Sequence, residues 1–176
     1  MADPHFGVES AQAALVSDSH YHEVVSRLIR TAAHHCLCML FIVDPDPLED
    51  PELRVDGLLQ DLAAAAWRGV DARLLIGGSR SNGRILDATL LARARAQSLD
   101  IETRLVAGAE QRSNHAKLVV VDGRCLLGSH NWSPGALTDQ TQDSVLVEDA
   151  ALAAYFVSRF EAQWQTARQE GFDVPR

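Results

Sequence analysis

One lysine stands among sixteen basic residues; the other fifteen are arginine. Such scarcity, beside abundant alanine, matches a coding bias toward arginine codons, and it singles out Lys117 as the position where that bias was not followed. Cysteine is scarce as well. Cys36, Cys38 and Cys125 are odd in number and two of them lie in an apolar run, which excludes a disulfide framework and predicts reduced thiols. No set of four ligands completes a metal site around Cys36 and Cys38, and His20-x-His22 and His34-His35 read as ordinary polar positions rather than metal ligands. The longest apolar run, Cys36 to Val43, is too short to cross a bilayer. No basic segment followed by an apolar stretch opens the chain, so neither a signal peptide nor a membrane anchor is expected, and the expected location is the cytoplasm. Positive charge is the last shortage. The net charge is −8, so any site for a phosphate must be a local patch acting against the global field.

What is present reads as an alternation of strands and helices. Val8 to Val16 is a candidate strand, and His20 to Ala33 a helix with Val24, Val25, Leu28 and Ile29 on one face. Cys36 to Val43 has the length and continuity of a buried central strand. Asp44 to Pro51, with three prolines, is a loop. Leu53 to Arg68 is helical and closes on Gly69 as a C-cap. Ala72 to Ile76 is a strand, Ile85 to Ser98 a helix, and Ile101 to Val106 a strand. Near the end come a strand at Ser144 to Val147 and a helix at Ala150 to Ala167, whose Phe156, Phe160 and Trp164 recur every fourth residue as a core stripe. The order predicts a single α/β domain over 1–176: a mixed, largely parallel sheet flanked by helices on both faces.

Between those halves runs SNHAKLVVVDGRCLLGSHNWS, from Ser113 to Ser133. Ala116 to Val121 and Arg124 to Gly128 are apolar segments joined by Asp122-Gly123, a signal for a hairpin with a type I′ turn. The alternation of a strand puts His115, Lys117, Val119 and Val121 on one face. Ser129 and Asn131 come just after the second strand, and the hairpin brings them back to the level of His115 and Lys117. Imidazole can attack phosphorus or deliver a proton near neutral pH; ammonium, hydroxyl and amide can hold phosphate oxygens. No metal or cofactor is needed for such chemistry. His130 alternates away from Ser129 and Asn131 and reads as flanking. Trp132 could stack on a base or pack beside the motif. Arg80, Arg84, Arg104 and Arg112 could form a patch that guides a polyanion, or be scattered solvated side chains.

His115-x-Lys117-x4-Asp122, followed by Gly128-Ser129-x-Asn131, resembles the HKD signature of the phospholipase D superfamily, and is most similar to its small members with a single motif. The resemblance implies that His115, Lys117, Asp122, Ser129 and Asn131 are catalytic, although Asp122 is also explained as a turn residue. It implies a metal-independent phosphodiesterase acting through a covalent phosphohistidine. A second histidine must protonate the leaving oxygen, so one motif per chain implies a homodimer with a shared active site. Two departures are visible. The stretch from Asp122 to Gly128 is one residue shorter than is usual in the family, a change that turns the next side chains to the other face unless the turn or a bulge absorbs it. Where small members carry an acid that orients the histidine, this chain offers Asp143 or Gln142. The expected substrate is DNA or RNA. The alternatives are a phosphate- or nucleic-acid-binding dimer without turnover, and a phospholipid hydrolase.

Overall fold

The computed structural model describes residues 11–79, 82–106 and 114–167. Their elements run β1 (Gln12–Ser17), α1 (His20–Arg30), β2 (His35–Leu40), α2 (Arg54–Trp67), β3 (Asp71–Ile76), α3 (Gly83–Ser98), β4 (Glu102–Leu105), β5 (Lys117–Val121), β6 (Arg124–Gly128), α4 (Pro134–Thr138), β7 (Asp143–Glu148) and α5 (Ala150–Thr166). The strands form one sheet in the order β1-β7-β6-β5-β2-β3-β4. The sheet is mixed, as expected, but parallel pairing is confined to β2-β3-β4. The other four ladders are antiparallel. The reason is connection length: α2 and α3 are crossovers that return the chain in the same direction, while the tight turn after β5 can only reverse it.

The central strand shows how the sequence builds two layers. Cys36, Cys38 and Leu40 of β2 join the cluster that holds Val25 and Ile29 of α1, Leu58 and Leu62 of α2, and Ala92 and Ala96 of α3. Leu37 and Met39 point the opposite way and join Phe160 and Trp164 of α5. Alternation along a strand buried on both faces therefore places helices on both sides of the sheet. The three cysteines are free and buried. Helix α2 ends where expected, with Gly69 at φ 87°, a left-handed cap that costs glycine nothing. No helix among the described residues is long and apolar enough to cross a membrane.

Register fixes what stands at each end of the sheet. Leu40 pairs with Lys117 and with Ile76, Gly128 with Ser144, and Ser17 with Asp143. The C-terminal ends of β1, β2, β3, β4 and β6 thus share one edge of the sheet with the starts of β5 and β7.

Candidate functional site

Lys117 opens β5 at that edge and His115 precedes it by two residues. The Lys117 Nζ lies 2.9 Å from the His115 Nδ1 and donates to the His115 carbonyl at 3.0 Å. An ammonium has only hydrogens to offer, so Nδ1 is the acceptor here. The Phe41 ring, one residue past β2, lies 4.2 Å from the imidazole centroid, and the Lys117 Nζ stands 5.1 Å from the same ring. Partial burial against this aromatic shelf lowers the lysine pKa, because desolvation disfavours the ammonium. His115 itself is exposed.

Ser129 and Asn131 come to the same edge, and the short hairpin decides how. The turn after β5 contains two residues, with Val121 paired to Arg124. It is not the expected type I′ turn: Asp122 has φ 52°, but Gly123 is not among the residues of positive φ. The shortened spacing needs no bulge, because β6 pairs with β5 without interruption. The Ser129 hydroxyl donates to the Asp143 carbonyl at 3.2 Å and accepts from the Asp143 amide at 3.1 Å. The Asn131 Oδ1 accepts from the Ile42 amide at 3.2 Å, next to Phe41. Among the described residues no hydrogen bond joins either side chain to His115 or Lys117.

Asp122 stands at the far end of β5. Its carboxylate accepts the amides of Ala33, His34 and His35 at 3.0, 2.9 and 3.0 Å, tying the end of the α1–β2 loop to the hairpin. Its desolvation is outweighed by these three bonds, which hold its pKa below the usual carboxylate range. The two candidates for orienting the histidine are engaged elsewhere. The Asp143 Oδ1 accepts from the Ser17 hydroxyl at 2.7 Å, and the Gln142 Nε2 donates to the Gln140 Oε1 at 3.1 Å.

The guiding patch is not assembled among the described residues. Arg84 is exposed and paired to Glu49 at 2.6 Å. Arg104 donates to the Trp164 carbonyl at 2.8 Å with its guanidinium over that indole, so it packs under α5 instead of facing the site. Arg80 and Arg112 lie outside the described residues. Trp132 is completely buried, which removes base stacking: its ring belongs to the core beside α1. His130 is also buried. It stacks on Tyr21 at 4.2 Å, while its Nδ1 meets the Ser144 hydroxyl at 2.8 Å and its Nε2 the Asp18 carbonyl at 3.1 Å. A cleft of about 560 Å³ adjoins Ile42 and Ser133, with Asp44, Glu49 and Asp139 on its walls and Arg84 as its cation. No group of three or more His, Cys, Asp or Glu side chains among the described residues is placed to hold a metal ion.

Sequence reasoning passed over Phe41, Ser17 and Asn114. Phe41 lies within the apolar run from Cys36 to Val43 and looks like core; only the pairing of β2 with β5 shows that its ring lies beside His115.

Known proteins agree with this architecture. Residues 25–164 match the family model described as cardiolipin synthase, PLD-like domain. A mitochondrial cardiolipin hydrolase from Chlamydomonas reinhardtii is 33% identical over 78 residues, a match covering 40% of this chain and 35% of that protein's length. Nuc, a phospholipase D family member from Salmonella typhimurium, superposes with a TM-score of 0.72 at 20% identity, covering 90% of this chain and 97% of Nuc. NucT from Helicobacter pylori gives 0.65 at 13% identity, covering 90% and 98%. With most of its length matched by that model and its sheet shared with these structures, the chain belongs to the phospholipase D superfamily.

Proposed function

We propose that this chain is a metal-independent phosphodiesterase that cleaves DNA or RNA through His115, acting as a homodimer with one active site between two copies. The observation that carries the reading is the contact of Lys117 with His115 at the open edge of the sheet. With Nδ1 accepting from the ammonium, the neutral ring carries its hydrogen on Nε2 and can donate a hydrogen bond from it to a phosphate oxygen. A phosphate entering the site draws the ammonium onto its own oxygens and releases Nδ1. The ring can then move its hydrogen to Nδ1 and attack phosphorus with Nε2, giving a phosphohistidine and expelling the ester oxygen. The second copy's histidine, entering as the imidazolium, protonates that oxygen, and the neutral ring left behind takes a proton from the water that hydrolyses the intermediate. Lys117, Ser129 and Asn131 hold the non-bridging oxygens in this scheme, the latter two after exchanging their present backbone partners for phosphate. Asp122 takes part by bracing the far end of β5. NucT and Nuc supply the fold on which the nucleic-acid reading rests.

A second reading has its own observation. Both candidates for orienting the histidine, Asp143 and Gln142, are engaged away from His115, which fits a dimer that binds phosphodiesters without turning them over. Single- and double-stranded DNA and RNA, incubated in EDTA with wild type and with His115→Ala, separate the two. Cleavage by wild type alone supports the enzyme; binding without cleavage by both supports the module. Cleavage of phospholipid vesicles but of no nucleic acid would move the substrate assignment to lipid.

A further inference from the structure

His115 has no carboxylate partner among the described residues. Its direction must then come from the backbone beneath it and from the two groups that touch it, Phe41 and Lys117. These supports meet at Gly77. The amide of Gly77 donates to the Leu40 carbonyl at 2.7 Å, and that of Gly78 to the Phe41 carbonyl at 2.8 Å, so the segment after β3 is laced to the segment bearing Phe41. A Cβ on Gly77 would stand 2.0 Å from the carbonyl oxygen of Asn114 and 3.3 Å from the Cα of Phe41. Both atoms are backbone and cannot swing aside. Asn114 is in turn fixed: its side chain is buried, and its Oδ1 accepts from the Ala116 amide at 3.0 Å, an Asx turn just before β5. Its buried Nδ2 finds no partner among the described residues. A buried donor without a protein partner is uncommon and calls for an explanation. Aspartate would also accept from Ala116, but would put a charge in a buried position, which is costly without a partner. Asparagine is the neutral acceptor.

Resting on the reading of His115 as the reacting group, we propose that Gly77 and Asn114 are positioning residues: together they form the seat that aims His115 past the edge of the sheet. The absent Cβ of Gly77 lets the Asn114 backbone settle against it, and the Asn114 side chain then turns the chain so that residue 115 projects outward. Neither residue touches the phosphate.

The test compares Gly77→Ala, Asn114→Ala and Asn114→Ser by kcat and KM on bis-p-nitrophenyl phosphate, by thermal melting, and by the ring-nitrogen shifts of His115 in long-range proton–nitrogen spectra. Gly77→Ala is expected to lower kcat about 10²-fold, the usual effect of a displacement near 1 Å, with KM little changed and the His115 shifts moved. Asn114→Ala should behave alike. Asn114→Ser should restore kcat, because its hydroxyl accepts from Ala116. If Gly77→Ala does not fold, the Asn114 pair decides alone. Wild-type kcat per folded molecule with unmoved His115 shifts, or no difference between Ala and Ser at 114, overturns the seat. The shifts are read without turnover. If wild type and His115→Ala are equally active or equally inactive, the functional reading fails while the seat is still judged on the spectra.

Discussion

The Lys117 ammonium is held between the Nδ1 of His115, at 2.9 Å, and the carbonyl of the same residue, at 3.0 Å. An arginine could keep the charge but not this geometry, since guanidinium is a broad planar fork and ammonium a compact point donor. At a twofold site two copies must also fit around one phosphate. We predict that Lys117→Arg loses turnover by about 10²–10³, the usual cost of one misplaced oxyanion donor, with melting temperature and dimer mass unchanged. Activity near wild type would make the lone lysine an accident of composition.

The dimer is a prediction of its own. A chain with one His115 needs a partner to supply the second imidazole, so light scattering should give twice the chain mass at assay concentrations. A monomer that still cleaves a phosphodiester contradicts it. Loss of activity in EDTA that Mg2+ restores would instead contradict the metal-free scheme, which draws its positive charge from lysine.

Asp122 is expected to affect stability and not chemistry. Removing its carboxylate leaves the amides of Ala33, His34 and His35 without their acceptor. Asp122→Ala should cost about 1–2 kcal/mol, the scale of a lost cap, while kcat per folded molecule stays at wild type. The folded pKa is lowered, so its contribution is complete above the unfolded carboxylate value near 4 and is lost as pH falls through the lower folded value. Wild type should be more stable than Asp122→Asn above that range, and the two stability curves should converge as pH falls through it.

His130 gives the opposite chemistry at a different pH. Burial lowers its pKa and its two hydrogen-bond partners are neutral, so the folded state holds it uncharged. The unfolded chain binds a proton that the folded chain refuses. Its share of stability is therefore present above the unfolded value, about 6.5, and falls away as pH drops below it. Melts from pH 8 to 5.5 should show a downward slope that His130→Phe flattens, although the variant melts lower throughout. An equal slope in both proteins would assign the pH dependence elsewhere.

Gly128 is expected to resist any side chain. A Cβ there would stand 2.3 Å from the Asp143 carbonyl oxygen and 2.3 Å from the Ser144 hydroxyl, the group that bonds His130. Gly128→Ala should destabilise by about 1–3 kcal/mol, the cost of overpacking, read as a lowered melting temperature. A neutral substitution would show that β7 has room to shift.

Pattern alone determined which layers this chain forms. The doubly buried run at β2, the helical stripes of α1 and α5 and the Asp122-Gly123 reversal are all local periodicities, and period is what decides face and length. The same alternation placed His115 and Lys117 side by side, because residues two apart on a strand share a face whatever the rest of the chain does. Only the tertiary structure decided the balance of parallel and antiparallel ladders, since strand order depends on which neighbours β5 and β7 find and not on their own composition. It also separated two histidines and two acids that look alike in sequence. His130 is drawn inward by Tyr21, Asp18 and Ser144, residues from distant segments. Asp143 meets Ser17 and not His115 because β1 returns to pair with β7. Phe41, Gly77 and Asn114 became visible only when the ends of β2, β3 and β5 were brought to one edge, since contact across a sheet joins residues that share no local signal.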